Sequence, residues 1–332
     1  MNVKCFLSID CGLTKLKVNL FDTTGNILKE EQSDTPLENL LVKTYELKSI
    51  ITGLIKRIIA DSSVSPKDIS AISASGHGNG LYTVGENGVF EYGYSSMFTD
   101  SLPYTPATNE VFDLINQTSW SGQPLPILSY LKNEKPDVFR KIKKICFCKD
   151  IINFFLTEKV LTDYTDASAA GLLNSKTSYY DAEILKHYSL EKHMDLLPEI
   201  TASTDIIGTV CGTFASETGL SVSTKVLGGM FDVNACMLGA GVVDSDKYCI
   251  IGGTWGINSA VVNKSVSNKS ITQCCNFLSS DRYMCIDSAP TSCSNLHWFL
   301  KNILNDTNYE TANKTAENQK SDENLFSRMY TS

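Results

Sequence analysis

The sequence predicts an α/β protein of two domains, and three observations carry that prediction. Residues 4–30 read as a meander of three short strands, because β-branched and aromatic residues alternate there between turn-forming clusters. The same order of strand, glycine turn, strand and strand returns at residues 248–286, without any repeat of the sequence itself. At 332 residues the chain exceeds one ordinary core and suits two, each able to bury most of its apolar surface.

The elements follow in order. Strands are expected at 4–9, 15–21 and 27–30, separated by Asp10-Cys11-Gly12 and Asp22-Thr23-Thr24-Gly25. From Leu37 to Ala60 apolar residues recur at helical spacing, and Lys56 and Arg57 precede a Ser/Pro breaker, which predicts one long amphipathic helix. A fourth strand runs from Ile69 to Ser75 and ends in Gly76-His77-Gly78. Residues 125–157 read as helix in two pieces, broken at Pro136. After Pro198 strands return at Gly208 to Phe214 and at Lys225 to Gly228, followed by a small-residue helix from Asp232 to Gly239. The second meander takes Tyr248 to Ile251, Gly256 to Val262 and Tyr283 to Ile286. Beyond Asn305 the chain is polar and charge-mixed, with little to bury, so a loop or disordered tail is expected there.

Composition narrows the function classes. Hydrophobic residues make up 42% and charged residues 20%, well mixed, which is ordinary for a globular chain and excludes disorder over most of it. A net charge of -8 argues against nucleic acid or an anionic membrane as partner, so any phosphate site must be local. The N-terminal run reaches an acid too soon for a signal peptide, and no stretch approaches membrane-spanning length. Eleven cysteines are many, but the number is odd and Cys146/Cys148 and Cys274/Cys275 lack Cys-x2-Cys spacing. They read as reduced core residues of a cytoplasmic protein.

Three motifs carry chemistry. Asp10 ends an apolar strand and precedes Cys11-Gly12-Leu13-Thr14-Lys15-Leu16-Lys17, so a carboxylate stands at a tight turn. Gly12 lets the backbone approach an anion, Thr14 adds a hydroxyl donor, and the carboxylate can hold Mg2+ directly or through water. The bland alternative is a hairpin turn, which Asp-x-Gly commonly forms. Gly252-Gly253-Thr254-Trp255 repeats the strand, glycine, threonine arrangement, and two such turns facing each other would clamp a triphosphate from both sides. Gly228-Gly229-Met230-Phe231-Asp232 puts an acid at the first turn of the small-residue helix, where the glycine pair leaves room for a substrate hydroxyl. An ordinary helix cap is the competing reading of Asp232.

Taken together, Asp10 through Lys17, Gly76-His77-Gly78, Thr162-Asp163-Tyr164-Thr165-Asp166-Ala167-Ser168, Gly228 through Asp232 and Gly253-Thr254-Trp255 resemble the FGGY carbohydrate kinases, and among them the L-xylulose kinases. The resemblance runs from about Leu7 to about Leu304. It implies the actin-like ATPase fold, two ribonuclease-H-like domains, with a sugar-binding domain at 1–245, the start of a nucleotide-binding domain at 246–304 and a polar tail at 305–332. It further implies ATP and Mg2+ as cofactors, a small-molecule sugar as partner, and room for a homodimer. Asp232 matches the catalytic base, Asp10 the acid that orients Mg-ATP, and Gly12, Thr14, Lys17, Gly253 and Thr254 the nucleotide-binding positions. His77, Gly78 and Asp100 match sugar-facing segments beside Asp232, and Gln123 and Trp120 are candidates to line the same pocket; a surface-loop histidine and an aromatic packed at a Gly/Pro turn are the bland alternatives for His77 and Trp120. The sequence departs from the family at Leu13, where glycine or threonine is usual, and at Ser101 and Leu102, where basic residues are expected after Asp100. No stretch after Trp298 supplies the family's glycine-containing adenine-binding segment, so a catalytically inactive sugar-binding or regulatory protein is the alternative function. Glycerol or gluconate is the alternative substrate.

Overall fold

A computed structural model describes residues 4–252, 256–271, 273–289 and 292–317, apart from the side chains of 108, 109 and 294. The chain divides into two compact units, one of Met1–Cys249 with Ser259–Asp287 and one of Ile250–Asn258 with Ser288–Ser332.

The first unit is organised by a mixed sheet whose strands follow from the predicted alternation. Strands β1 (Cys5–Cys11), β2 (Lys15–Asp22) and β3 (Ile27–Asp34) form the antiparallel meander. Helix α1 (Thr44–Asp61) then crosses back, and β4 (Ile69–Gly76) lies parallel to β1. Strands β5 (Ile206–Thr209) and β6 (Lys225–Leu227) extend the sheet on the far side, giving the order β5-β6-β4-β1-β2-β3. A two-residue strand β7 (Met230–Phe231) also pairs with β4 in parallel. In β1, Cys5, Leu7, Ile9 and Cys11 are buried and join Leu47, Ile51, Leu54, Ile55 and Ile58 of α1 in one core. The i, i+4, i+7 spacing of that helical set gives the stripe that packs on the sheet. A second core gathers around Leu81, Val111, Leu128, Ile145 and Leu172.

Several expectations shift. The helix expected from Leu37 starts at Thr44, because Asn39 and Leu40 take positive φ (50° and 66°) and turn the chain between strands Leu37–Glu38 and Leu41–Lys43. The second of these pairs with Tyr92–Tyr94, so tertiary pairing overrides the helical spacing. Within 125–157, helix α2 (Pro124–Glu134) and α3 (Cys148–Thr157) are separated by a short turn of helix that Pro136 starts rather than breaks, and by the strand Ile142–Cys146 paired with Tyr82–Gly85. Helix α4 (Tyr164–Ala169) follows. The strand expected to Phe214 stops at Thr209, and Gly212–Thr218 is helical, ended by Gly219 in the left-handed region. Helix α5 (Asp232–Gly239) is as expected.

Tyr248–Gly252 and Gly256–Val262 are strands, and the hairpin Gln273–Phe277 with Ser279–Ala289 completes the second set. The strand Gln273–Phe277 is buried along its whole length, so it carries no alternation to read. In the second unit, helices Cys293–Asn302 and Tyr309–Glu317 are tied by a 2.8 Å contact between His297 Nδ1 and the Tyr309 hydroxyl, where a loop or disordered tail was expected from 305 onward. All eleven cysteines are free of disulfides, but not all are core residues, since Cys236 and Cys293 are exposed. Among the described residues, no helix is long and apolar enough to cross a membrane.

Candidate active site

Three parallel segments end in one row. Across the sheet, Asp10 of β1 stands opposite Ser75 of β4, and Ser75 opposite Met230 of β7. One residue further, Cys11, Gly76 and Phe231 are aligned in the same way. The chain leaves the sheet just past this row, through Gly12 on one strand, His77 on the next and Asp232 on the third. Open sheets bind ligands outside the carboxyl ends of parallel strands, and this row is such an end.

Asp10 is half-buried, and its Oδ1 accepts the Ser75 hydroxyl at 2.8 Å. Among the described residues nothing donates to Oδ2. Lys17, exposed on β2, is its cross-strand partner on the other side. The following turn is a hairpin. Gly12 N–H closes it on the Lys15 carbonyl at 2.9 Å, and the buried Thr35 hydroxyl donates to the Gly12 carbonyl at 2.8 Å. Gly12 therefore spends its own amide on the turn. Among the described residues the N–H groups of Leu13 and Thr14 meet no protein acceptor, so they are the amides left to face an anion.

Asp232 does not cap its helix. Phe231 occupies the N-cap position of α5, where no side chain caps the helix. The Asp232 carboxyl is half-buried, and its pKa is pushed up to about 7, first by loss of water and then by the nearby charge of Asp10. The Val233 N–H opposes that rise without cancelling it. Burial and the Asp10 charge thus hold the Asp232 carboxyl near neutrality.

Glycine sets the approach of these strands. Gly229 has φ +74°, and a Cβ there would lie 2.1 Å from the Ala74 carbonyl oxygen of β4. A Cβ on Gly78 would lie 2.2 Å from the Phe231 ring. Both positions need hydrogen as a side chain for Phe231, and hence Asp232, to sit where they do.

The loops expected to face a sugar come together. The loop after β4 is joined to Trp120-Ser121-Gly122-Gln123 by Gly80 N–H donating to the Gly122 carbonyl at 2.8 Å. That segment in turn meets the one carrying Asp100, since Ser101 Oγ donates to the Ser121 carbonyl at 2.6 Å. Within this cluster His77 is buried, with its Nε2 3.0 Å from the Tyr82 hydroxyl. Among the described residues Asn79 Oδ1 is buried without a hydrogen-bond partner, a polar group of the kind that a polar ligand or water satisfies, while the His77 ring lies against Cys148 and the Gly78 backbone. Asp100 is exposed and Trp120 half-buried. Gln123 is buried and engaged internally, its Nε2 donating to Gln117 Oε1 at 3.0 Å and its Oε1 accepting from Trp120 N–H. Gly253 and Thr254 lie outside the described residues.

Residues 5–239 match the N-terminal domain of the FGGY family of carbohydrate kinases. The chain belongs to that family. As an FGGY member it is 30% identical over 315 residues to a probable L-xylulose kinase of Pasteurella multocida, covering 89% of this chain and 64% of that one. It is 28% identical to a probable L-xylulose kinase of Haemophilus influenzae, over 93% of this chain and 66% of that one. The chain thus spans about two thirds of the length of these curated relatives. The fold matches the ligand-bound xylulose kinase structure from Lactobacillus acidophilus with a TM-score of 0.84 at 21% identity, over 95% of this chain and 66% of that one. The α/β architecture is therefore the actin-like ATPase fold of FGGY kinases, as the sequence implied.

Sequence reasoning missed Ser75, which holds Asp10, and the group behind Phe231. Buried Lys149 lies 3.0 Å from Asp163 and 3.2 Å from Asp166, and it also pairs with Asp150. Asp163 accepts from Thr165 N–H, Thr165 Oγ1, Asp166 N–H and Ser203 Oγ. The Asp163-Tyr-Thr-Asp166 run was visible as part of the family motif, but nothing in it showed that a lysine 14 residues earlier closes the group.

Proposed function

We propose that this chain belongs to a kinase that transfers the γ-phosphoryl of Mg-ATP to a hydroxyl of a ketopentose such as L-xylulose or xylulose. The observation that carries this reading is Asp232, a carboxyl brought to about 7 by burial and Asp10 at the carboxyl ends of three parallel segments. A general base works best when its pKa lies near the working pH. In its ionised form Asp232 takes the proton from the sugar hydroxyl, whose oxygen bonds to the γ-phosphorus as the bond to the ADP oxygen breaks. Mg-ATP supplies the phosphoryl group and the metal that spreads its charge. Asp10 suits the metal, because Mg2+ is commonly held by one or two carboxylates together with phosphates, and Oδ2 points to no protein donor among the described residues. Thr14 and Lys17, on the same edge as Asp10, suit the phosphates.

The sugar side is assigned to 1–245 and the start of the nucleotide side to 246–304. Asn79 supports a polar ligand, because among the described residues its buried Oδ1 has no partner, and buried His77 stands beside it. Gly78, Asp100 and Gln123 belong to the loops gathered around them, with Gln123 acting through packing since its amide is already engaged. The ketopentose rests on the two relatives above and on that polar lining.

The test is sugar-dependent ADP formation across pentuloses, pentoses, glycerol and gluconate. L-xylulose or xylulose should give the highest kcat/KM, and Asp232→Asn should lower kcat by a factor of about 10² to 10⁴, the usual worth of a general base. A variant that keeps wild-type turnover, or a preference for glycerol or gluconate, would overturn the respective half of the reading.

A further inference from the structure

The buried ion cluster packs against the row of carboxyl ends, where a Cβ on Gly76 would lie 2.9 Å from the Lys149 amide nitrogen, and it reaches the residue before Asp232. Thr165 Oγ1 accepts the Phe231 N–H at 2.9 Å. The same hydroxyl donates to Asp163 Oδ2 at 2.7 Å. The direction of both bonds is fixed by chemistry. Asp163 receives four donors and the Lys149 ammonium, so it is an acceptor throughout and must take the Thr165 proton. That leaves the lone pairs of Thr165 for Phe231.

The same elements pin the rest of the loop. Lys149 and Asn153 are four apart on α3 and so share a face. Asn153 Nδ2 donates to the Gly228 carbonyl at 2.8 Å, while Lys149 holds Asp163. Ser203, whose hydroxyl donates to Asp163 at 2.6 Å, also accepts the Gly229 N–H at its carbonyl at 2.9 Å. Gly228, Gly229 and Phe231 are thus each bonded to α3, to α4 or to the Ser203 turn.

A purely structural cluster would not need to reach this loop. We propose that Thr165, oriented by the Asp163–Lys149 pair, is a positioning residue that sets where the Asp232 carboxylate stands. Charge-assisted hydrogen bonds in a dry interior are stronger than exposed ones, which suits them to hold an acid beside another acid. The inference rests on the reading of Asp232 as the base.

The test replaces Thr165 by Val, which keeps the shape and removes the hydroxyl, and by Ser, which restores it. In Thr165→Val, kcat should fall by about tenfold to a hundredfold, the scale of a 1 Å misplacement, with KM for the sugar little changed. Thr165→Ser should recover most of it. Independently of turnover, the Asp232 carboxyl is followed by 13C NMR titration of the 332-residue chain. Its midpoint should fall in Thr165→Val as the loop loosens and water enters, and return in Thr165→Ser. An unmoved midpoint with unchanged kcat in Thr165→Val overturns the proposal. A wild type without sugar-dependent turnover whose Asp232 midpoint still moves in Thr165→Val counts against the kinase reading alone. If Thr165→Val does not fold, Ser203→Ala removes one donor from the same carboxylate and must move the midpoint in the same direction, by less; no movement overturns the proposal.

Discussion

Replacing Asp232 by Asn should stabilise the protein, and by an amount that depends on pH. A carboxyl whose midpoint rises from 3.8 to about 7 on folding binds its proton more tightly in the native state. Between those two values the folded chain holds more protons than the unfolded one, so raising the pH through the window removes stability. Below about pH 4 both states are protonated and the acid costs nothing. Above about pH 7 the folded state carries an ionised carboxylate that it disfavours by at most about 4 kcal/mol, less whatever water screens at its half-buried oxygens. Asn keeps the shape without the charge. The gain in unfolding free energy of Asp232→Asn over wild type should therefore be near zero at pH 4, grow through pH 5 and 6, and level off above pH 7 at about 2 to 4 kcal/mol. Urea unfolding at a series of pH values measures it directly. Parallel stability curves for the two proteins from pH 4 to 8 would refute the argument, because they would mean that burial and Asp10 leave Asp232 unperturbed.

Two further variants test the scaffold. Lys149→Met leaves three buried carboxyls facing no cation, and should cost about 3 to 5 kcal/mol in the same unfolding assay, as breaking a buried ion pair does; a loss below 1 kcal/mol would show that the cluster is not held by its charge. Gly229→Ala combines a φ of +74° with a Cβ 2.1 Å from the Ala74 carbonyl oxygen, so it should cost about 3 kcal/mol or more, or shift the Asp232 midpoint where the loop gives way instead. A fully stable variant with an unmoved midpoint would contradict the packing described.

What the sequence disclosed and what it hid divide along physical lines. Strands β1 to β4 and helix α5 were legible because each carries its own periodicity or its own glycine turn. The start of α1 was not, because Val42 and its neighbours are taken by pairing with Tyr92–Tyr94, a contact some 50 residues away that local spacing does not register. The strand Ile142–Cys146 was hidden for the same reason, inside a stretch whose composition suits helix on both sides. Asp10 was readable as an acid at a tight turn and Asp232 as one at the first turn of a small-residue helix, but that they share a site is a matter of register: Asp10 opposite Ser75, and Ser75 opposite Met230. Lys149 was the least legible of all. A lysine in an apolar helix reads as a solvent-facing residue, and only the fold shows that Asp163 and Asp166 come round to meet it.

The placement of Asp232 has to be maintained against its own electrostatics. An acid that disfavours its charged form by a few kcal/mol beside Asp10 would relieve itself by moving the short segment Gly228–Phe231 outward toward water. Four contacts oppose that movement. Gly229 N–H bonds the Ser203 carbonyl, Asn153 bonds the Gly228 carbonyl, and Thr165 accepts the Phe231 N–H, each worth about 1 kcal/mol net. The Phe231 ring, 6% exposed and seated against Gly78, adds about 2 to 3 kcal/mol of apolar burial. Their combined size matches or exceeds the cost of the carboxylate, so the loop stays and the acid titrates near neutrality instead of retreating. On that argument the glycines at 78 and 229, the hydroxyl of Thr165 and the amide of Asn153 act as one device. Weakening any one of them should lower the Asp232 midpoint before it unfolds the chain.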